Sequence, residues 1–210
     1  LFALCPLFGF GGDWVHITTK NDIAIYSKLL PNSPIKALRA EGLVNGRIED
    51  IVAILRDVAS AKEWVPNLVD RSYVQNISDT EAVLYDVNDL PWPVTDRDSV
   101  VHHKLSISED QKSLILNFNS TEHENAPKGK KYIRAIISKG EVVFTPKANK
   151  TYVRVTILVD PMGEIPKFVV NLVQVNMPYD FIKSLDKYAS KTHLKPLPGL
   201  QKLIDSLRRD

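Results

Sequence analysis

His102 and His103 stand side by side in "RDSVVHHKLSI" (97–107), and His123 lies between two acids in "EHE" (122–124). Imidazoles with carboxylates are an ordinary ligand set for zinc, and a histidine beside a phenol can move protons. Spacing argues against a metal. A turn at "SEDQ" (108–111) pairs the segment 97–107 with 112–121, so that His103 opposes Leu116 and His123 opposes Asp96, several residues away. Adjacent His102 and His103 also point to opposite faces of a strand. The same register sets Arg97 opposite Glu122 as a structural ion pair, although an arginine fork also clamps phosphate. Ser99, Val101, His103, Leu105 and Ile107 share the face that reads as inward. Tyr85, on the preceding strand, is the phenol that could join His103, either as an acid–base pair or as a neutral polar spot.

Other chemistry is missing from the motifs. There is no G-x-S-x-G, H-E-x-x-H or Walker loop, and "GFGG" (9–12) lacks the third glycine of a dinucleotide fingerprint. No paired carboxylates line one face. One cysteine, Cys5, allows neither an intrachain disulfide nor a cysteine-ligated metal centre, and no cofactor is expected. The sequons "NIS" (76–78), "NST" (119–121) and "NKT" (149–151) carry little weight, since twelve asparagines make one or two by chance. A net charge of +2 gives no pull toward nucleic acid and permits weak, transient contact with an anionic membrane. No apolar run reaches the roughly 18 residues of a spanning helix. "LFALCPLFGFGGD" (1–13) reads in two ways. It is the tail of an export signal, which would make the protein secreted or periplasmic, or an apolar arm on a cytoplasmic one.

The elements that must hold these residues follow from pattern. "WVHITT" (14–19), "IAIYSKLL" (23–30) and "IKALRAEGLV" (35–44) read as strands, broken by Asn21-Asp22 and "PNSP" (31–34). Residues 47–65 carry Ile48, Ile51, Val52, Leu55 and Val58 at helical spacing, and Pro66 ends the run. Strands return at 69–77, 81–90, 97–107, 112–121, 130–137, 141–146 and 151–160, and a long helix closes the domain. Residues 191–210 form a C-terminal tail with a short amphipathic helix. Sequential strands with short turns pair antiparallel. The class is α+β: one domain over 14–190, a sheet gripping a terminal helix.

That helix is unusual. Ile165, Phe168, Val169, Leu172, Val175 and Tyr179 fall on one side, and Val170, Val173, Met177 and Phe181 largely on the other. Only Lys167, Asn171 and Gln174 make a polar strip, so the helix needs cover on two sides. Pro166 suits a first turn, whereas Pro178 removes an interior hydrogen bond and implies a kink. Asn176 lies within the first apolar stripe and needs a partner, either across the kink or from a ligand.

"GEIPKFVVN" (163–171) with "NMPYDFIKSL" (176–185) resembles the closing helix of START domains, the lipid-transfer domains related to the steroidogenic acute regulatory protein. "EWVPNL" (63–68) is similar to the family's tryptophan segment, and "LPWPVTDRDSVV" (90–101) to its P-aromatic-P-x-x-x-R-D opening of a strand. "YIRA" (132–135), Gly140 and "VTILVDPMGEIP" (155–166) complete the order. The resemblance implies a helix-grip fold, a curved antiparallel sheet around the terminal helix with an apolar cavity between. It implies a non-enzymatic protein that binds, transfers or senses a lipid or other apolar ligand, and a monomer is expected. A polyketide cyclase-like enzyme using His103 and Tyr85 is the alternative, and an interaction module whose groove holds the arm or a peptide is a third reading.

Expected ligand contacts are Tyr85, Arg97, Val101, His103, Leu116, Phe118, Phe168, Leu172, Asn176 and Tyr179. In phosphatidylcholine-binding relatives an arginine near this strand opening meets the phosphate, so Arg97 keeps both readings. In sterol-binding relatives the place of His103 tends to carry an arginine paired with an acid. Here Tyr85 stands where the acid is expected.

Overall fold

A computed structural model describes residues 13–31, 35–128, 131–165 and 167–208, with the side chains of 167–175 excepted. The apolar arm therefore lies outside the described residues. Three strands open the fold: β1 (Val15–Lys20), β2 (Ile23–Leu29) and β3 (Lys36–Val44). Two short helices follow, α1 (Ile48–Arg56) and α2 (Ala61–Trp64). Then come β4 (Leu68–Ser78), β5 (Glu81–Asn88), β6 (Arg97–Ile107), β7 (Leu114–Ser120), β8 (Ile133–Arg134), β9 (Ile136–Lys147) and β10 (Lys150–Asp160). The chain ends in α3 (Lys167–Ala189) and α4 (Pro198–Asp205).

The strands form one sheet in the order β1-β2-β3-β10-β9-β7-β6-β5-β4, antiparallel throughout, with β8 added parallel to β6. Period-two alternation gives β2, β3, β9 and β10 a shared buried face. Ile25, Ala40, Phe144, Val153 and Val155 are all buried on it. Against that face lies α3, which packs on β2, β3, β10, α1 and α2, and buries Ile182, Leu185 and Ala189. Trp64 of α2 meets α3 edge-on at Phe181 and stacked at Tyr188.

Three expectations need adjustment. The helix read over 47–65 breaks, because Asp57 leaves helical geometry and the Ser60 hydroxyl bonds its carboxylate, a local turn that competes with the helix. The strands read at 130–137 and 141–146 are mostly one, since β9 runs unbroken through Gly140. The β6–β7 hairpin closes at Ser108 and Ser113 around a four-residue loop, with Gln111 at φ 58°. Its register is displaced by two residues, so His103 opposes Phe118 and Leu105 opposes Leu116. A two-residue displacement keeps every side chain on its expected face.

Candidate functional site

Where α3 and α2 stand off the sheet, a cavity of about 160 Å³ remains. From the sheet it is lined by Arg71 (β4), Asp86 and Asn88 (β5), Val101 and His103 (β6), Leu116 and Phe118 (β7), Ile137 and Val142 (β9), and Val155 and Ile157 (β10). Leu55, Trp64, Val65 and Pro66 close one side, and Met177, Pro178 and Phe181 of α3 cover it. Each sheet residue follows from register: Asp86 pairs with Ser99, Leu84 with Val101, His103 with Phe118, and Phe118 with Gly140. Gly140 is required here. A Cβ at that position would lie 2.2 Å from the Phe118 ring, which rests flat against the bare backbone.

One corner of this apolar space is polar. Arg71 grips Asp86 with two parallel bonds, Nε to Oδ1 at 2.8 Å and Nη2 to Oδ2 at 2.7 Å, with side chains only 12% and 9% exposed. His103 lies in the same wall, its ring centroid 5.6 Å from that of Phe118. Burial, reinforced by the Arg71 cation, brings its pKa down to about 3, against a smaller opposing pull from Asp86. The imidazole is therefore neutral, with one nitrogen a donor and the other an acceptor. Arg71, Asp86 and His103 together carry no net charge.

Of the ten expected contacts, Val101, His103, Leu116 and Phe118 line the cavity. Tyr85 does not. It pairs with Val100, on the outer face, and its hydroxyl donates to Asp98 Oδ2 at 2.9 Å, where Arg134 also binds in bidentate fashion. Burial first, then Asp98, raise its pKa to about 12. The inward residue is its neighbour Asp86, so the acid is present after all, and its cation comes from β4. Sequence reasoning missed Arg71 and Asp86. The available signal was an acid sharing the Ala82–Leu84 face of β5.

Arg97 is buried, yet its partner is not Glu122. Its guanidinium donates to the carbonyls of Thr95, Pro161 (2.9 Å) and Met162 (2.7 Å). The displaced register explains the correction, since β6 and β7 part company at Val101 and Ser120, before Glu122 is reached. Tyr179 faces the β1–β2 turn, where its hydroxyl accepts from Asn21 Nδ2 at 2.7 Å, and Asn176 is half-buried outside the cavity wall. In the described part of α3 the stripe of Met177 and Phe181 faces the cavity, not that of Tyr179. Phe168 and Leu172 lie outside the residues whose side chains are described. His102 is engaged with Glu81 at 2.8 Å and His123 with Gln75 at 3.1 Å, on separate neighbours.

Residues 11–192 match the model of the START domain. The chain belongs to the START domain family. Bovine phosphatidylcholine transfer protein is 24% identical over 181 residues, 84% of each chain. A Pseudomonas aeruginosa protein of uncharacterised role is 25% identical across 88% of this chain and 93% of its own. Among solved structures, a STAR-related lipid transfer protein fragment from Xanthomonas axonopodis superposes with a TM-score of 0.75 at 24% identity, covering 85% of this chain and 99% of that one. Human StAR-related lipid transfer protein 5 gives 0.73 at 20% identity, over 85% and 86%. These likenesses establish the α+β helix-grip fold.

Proposed function

We propose that this START domain is a non-enzymatic carrier that holds one lipid or similar apolar molecule in the cavity under α3, with the ligand's polar group at the Arg71–Asp86–His103 corner. The observation that carries this reading is an apolar cavity whose one ion pair among the described residues, Arg71 with Asp86, is already neutralised from within. Such a corner offers hydrogen bonds without demanding a counter-charge, so it favours a hydroxyl, ester or amide over a bare anion. Apolar burial, worth about 25 cal/mol per Å², would supply most of the affinity. At about 160 Å³ the cavity is smaller than the roughly 300–1,000 Å³ of typical ligand sites, so loading a lipid requires its walls to move. The family relationship supports lipid binding in general.

Acid–base catalysis by His103 with Tyr85 lacks its geometry, because the two side chains lie on opposite faces of the sheet. A base with a pKa near 3 is also poorly matched to proton abstraction at neutral pH. The test is native mass spectrometry of the purified chain, with lipid extraction, followed by exchange of fluorescent lipids between vesicles. A stoichiometric apolar ligand that Leu116→Trp excludes is the expected result. Absence of any bound or exchanged lipid across sterols, phospholipids and fatty acids overturns the reading.

A further inference from the structure

We propose that the end of the sheet opposite Arg97 carries a second binding site, separate from the cavity under α3, for a phosphate monoester. Its construction is independent of the carrier reading.

Arg47, Lys112, Lys147 and Arg208 line one pocket of about 430 Å³. They come from four separate segments: the start of α1, the β6–β7 loop, the end of β9 and the stretch after α4. Register brings these segments together. Val44 of β3 pairs with Thr151 of β10, β9 turns into β10 at Lys147 and Lys150, and Ile107 of β6 meets Leu114 of β7. Asn88 with Arg97, and Ile136 with Asp160, pair at the other end of the same strands. The frame is fixed before any ligand arrives. The Ser113 and Thr145 hydroxyls, 2.7 Å apart, link the two hairpins. The Thr151 hydroxyl donates to the Gly46 carbonyl at 2.9 Å, and the Arg208 N–H to the Gln111 carbonyl at 2.8 Å. Little backbone freedom is then lost on binding.

Charge selects the ligand. The four cations share the pocket lining with one carboxylate, Glu49, which accepts from Arg47 Nη2 at 3.1 Å. Four positive charges against one negative leave the lining at a formal +3. Asp110, in the same loop as Lys112, is turned to its own loop, accepting from the Ser108 hydroxyl at 2.6 Å and the Lys112 N–H at 3.0 Å. A phosphate monoester carries about −1.5 to −2 at neutral pH, whereas a phosphodiester carries about −1, so the monoester neutralises more of this excess. The two guanidiniums offer paired N–H groups to phosphate oxygens, and the two ammoniums act as point charges. Arg47 is also the N-cap of α1 and supplies no side-chain acceptor there, so the helix end adds to the positive field. All four cationic residues are exposed, which leaves the pocket open to a ligand from solution or from a membrane surface.

The experiment titrates inorganic phosphate and glycerol 3-phosphate into the full chain, with chloride at matched ionic strength as the control, and follows backbone amide shifts by NMR. Saturable shifts confined to the segments around Arg47, Lys112, Lys147 and Arg208 are expected. Lys147→Gln combined with Arg208→Gln should weaken binding about tenfold, the worth of one charge-assisted hydrogen bond. Melting should not change, because both residues are exposed. Lys36→Gln, an exposed cation at the opposite end of β3, should alter neither. Sedimentation with vesicles of phosphatidylcholine, alone or mixed with phosphatidic acid, separates the two sources of a monoester. Retention on phosphatidic acid that the double variant loses assigns the phosphate to a lipid head group. Local shifts with the soluble phosphates and no such retention assign it to a soluble molecule. Shifts no different from chloride together with no retention overturn the site. Binding that survives in the double variant, or that falls equally in Lys36→Gln, overturns it as well, because then only overall charge is being read.

Discussion

Asp86 and Arg71 keep their charges in an apolar wall because each satisfies the other in a fork-to-fork geometry. Removing one partner strands the other, so Asp86→Ala should cost about 3–5 kcal/mol, read as a lower urea midpoint. The double replacement Arg71→Met with Asp86→Leu should recover most of that loss while changing which lipids bind. His103 makes stability depend on pH. The unfolded chain protonates this histidine near its ordinary value of 6.5, and the folded protein only near 3. Unfolding between those values takes up a proton. The contribution of this group is therefore complete above pH 6.5 and falls by up to roughly 1.4 kcal/mol per unit as pH drops toward 3. Denaturant titrations at pH 7 and pH 5 should show a smaller difference in His103→Leu than in the parent. Gly140→Ala would drive the Phe118 ring into the cavity. A loss of about 1–3 kcal/mol and reduced lipid loading are expected, measured by melting and native mass spectrometry.

At the scale of elements, α3 and α4 differ in what fixes them. The first is held along its second half by a buried stripe and at its leading end by the Arg97 carbonyl bonds. The second lies beyond the residues that match the family model, yet Leu200 and Ile204 are fully buried in the main core, and Leu207 just after it nearly so. Its start is fixed by the Gly199 N–H on Asp79 Oδ2 at 2.7 Å, where a side chain at 199 would collide with that aspartate. Leu200→Ala should therefore destabilise the whole domain by about 2–5 kcal/mol, as a core truncation does. A single cooperative transition at a lower midpoint in circular dichroism would show it. A separate early transition would mean that α4 melts alone.

At the scale of the whole molecule, exposed apolar side chains gather at one end of the sheet among others on the surface. At the Arg97 end the β5–β6 loop carries Trp92, 90% exposed, and Met162 is also exposed. A carrier must meet a membrane somewhere, and an indole suits the interface between water and lipid. Trp92→Ala should leave the melting temperature unchanged, because the ring packs on nothing it would miss. It should slow lipid exchange with vesicles, and equal exchange rates would place the contact elsewhere.

Alternation and helical spacing in the sequence were enough to locate most strands and the closing helix, and the resemblance of short motifs in their order marked the family. Those signals are local: they depend on which face of an element each residue takes, and a two-residue error in the β6–β7 register left every face intact. The four expected residues that line the cavity, Val101, His103, Leu116 and Phe118, all come from that hairpin. Tyr85 failed because a one-residue choice of face inverts a strand, and only the pairing of Tyr85 with Val100 decides it. The Arg71–Asp86 pair and the Arg97 carbonyl bonds were likewise settled by tertiary structure. Both join segments whose approach depends on strand order and on where α3 begins, and charged side chains take whichever partner the completed fold puts within hydrogen-bonding distance.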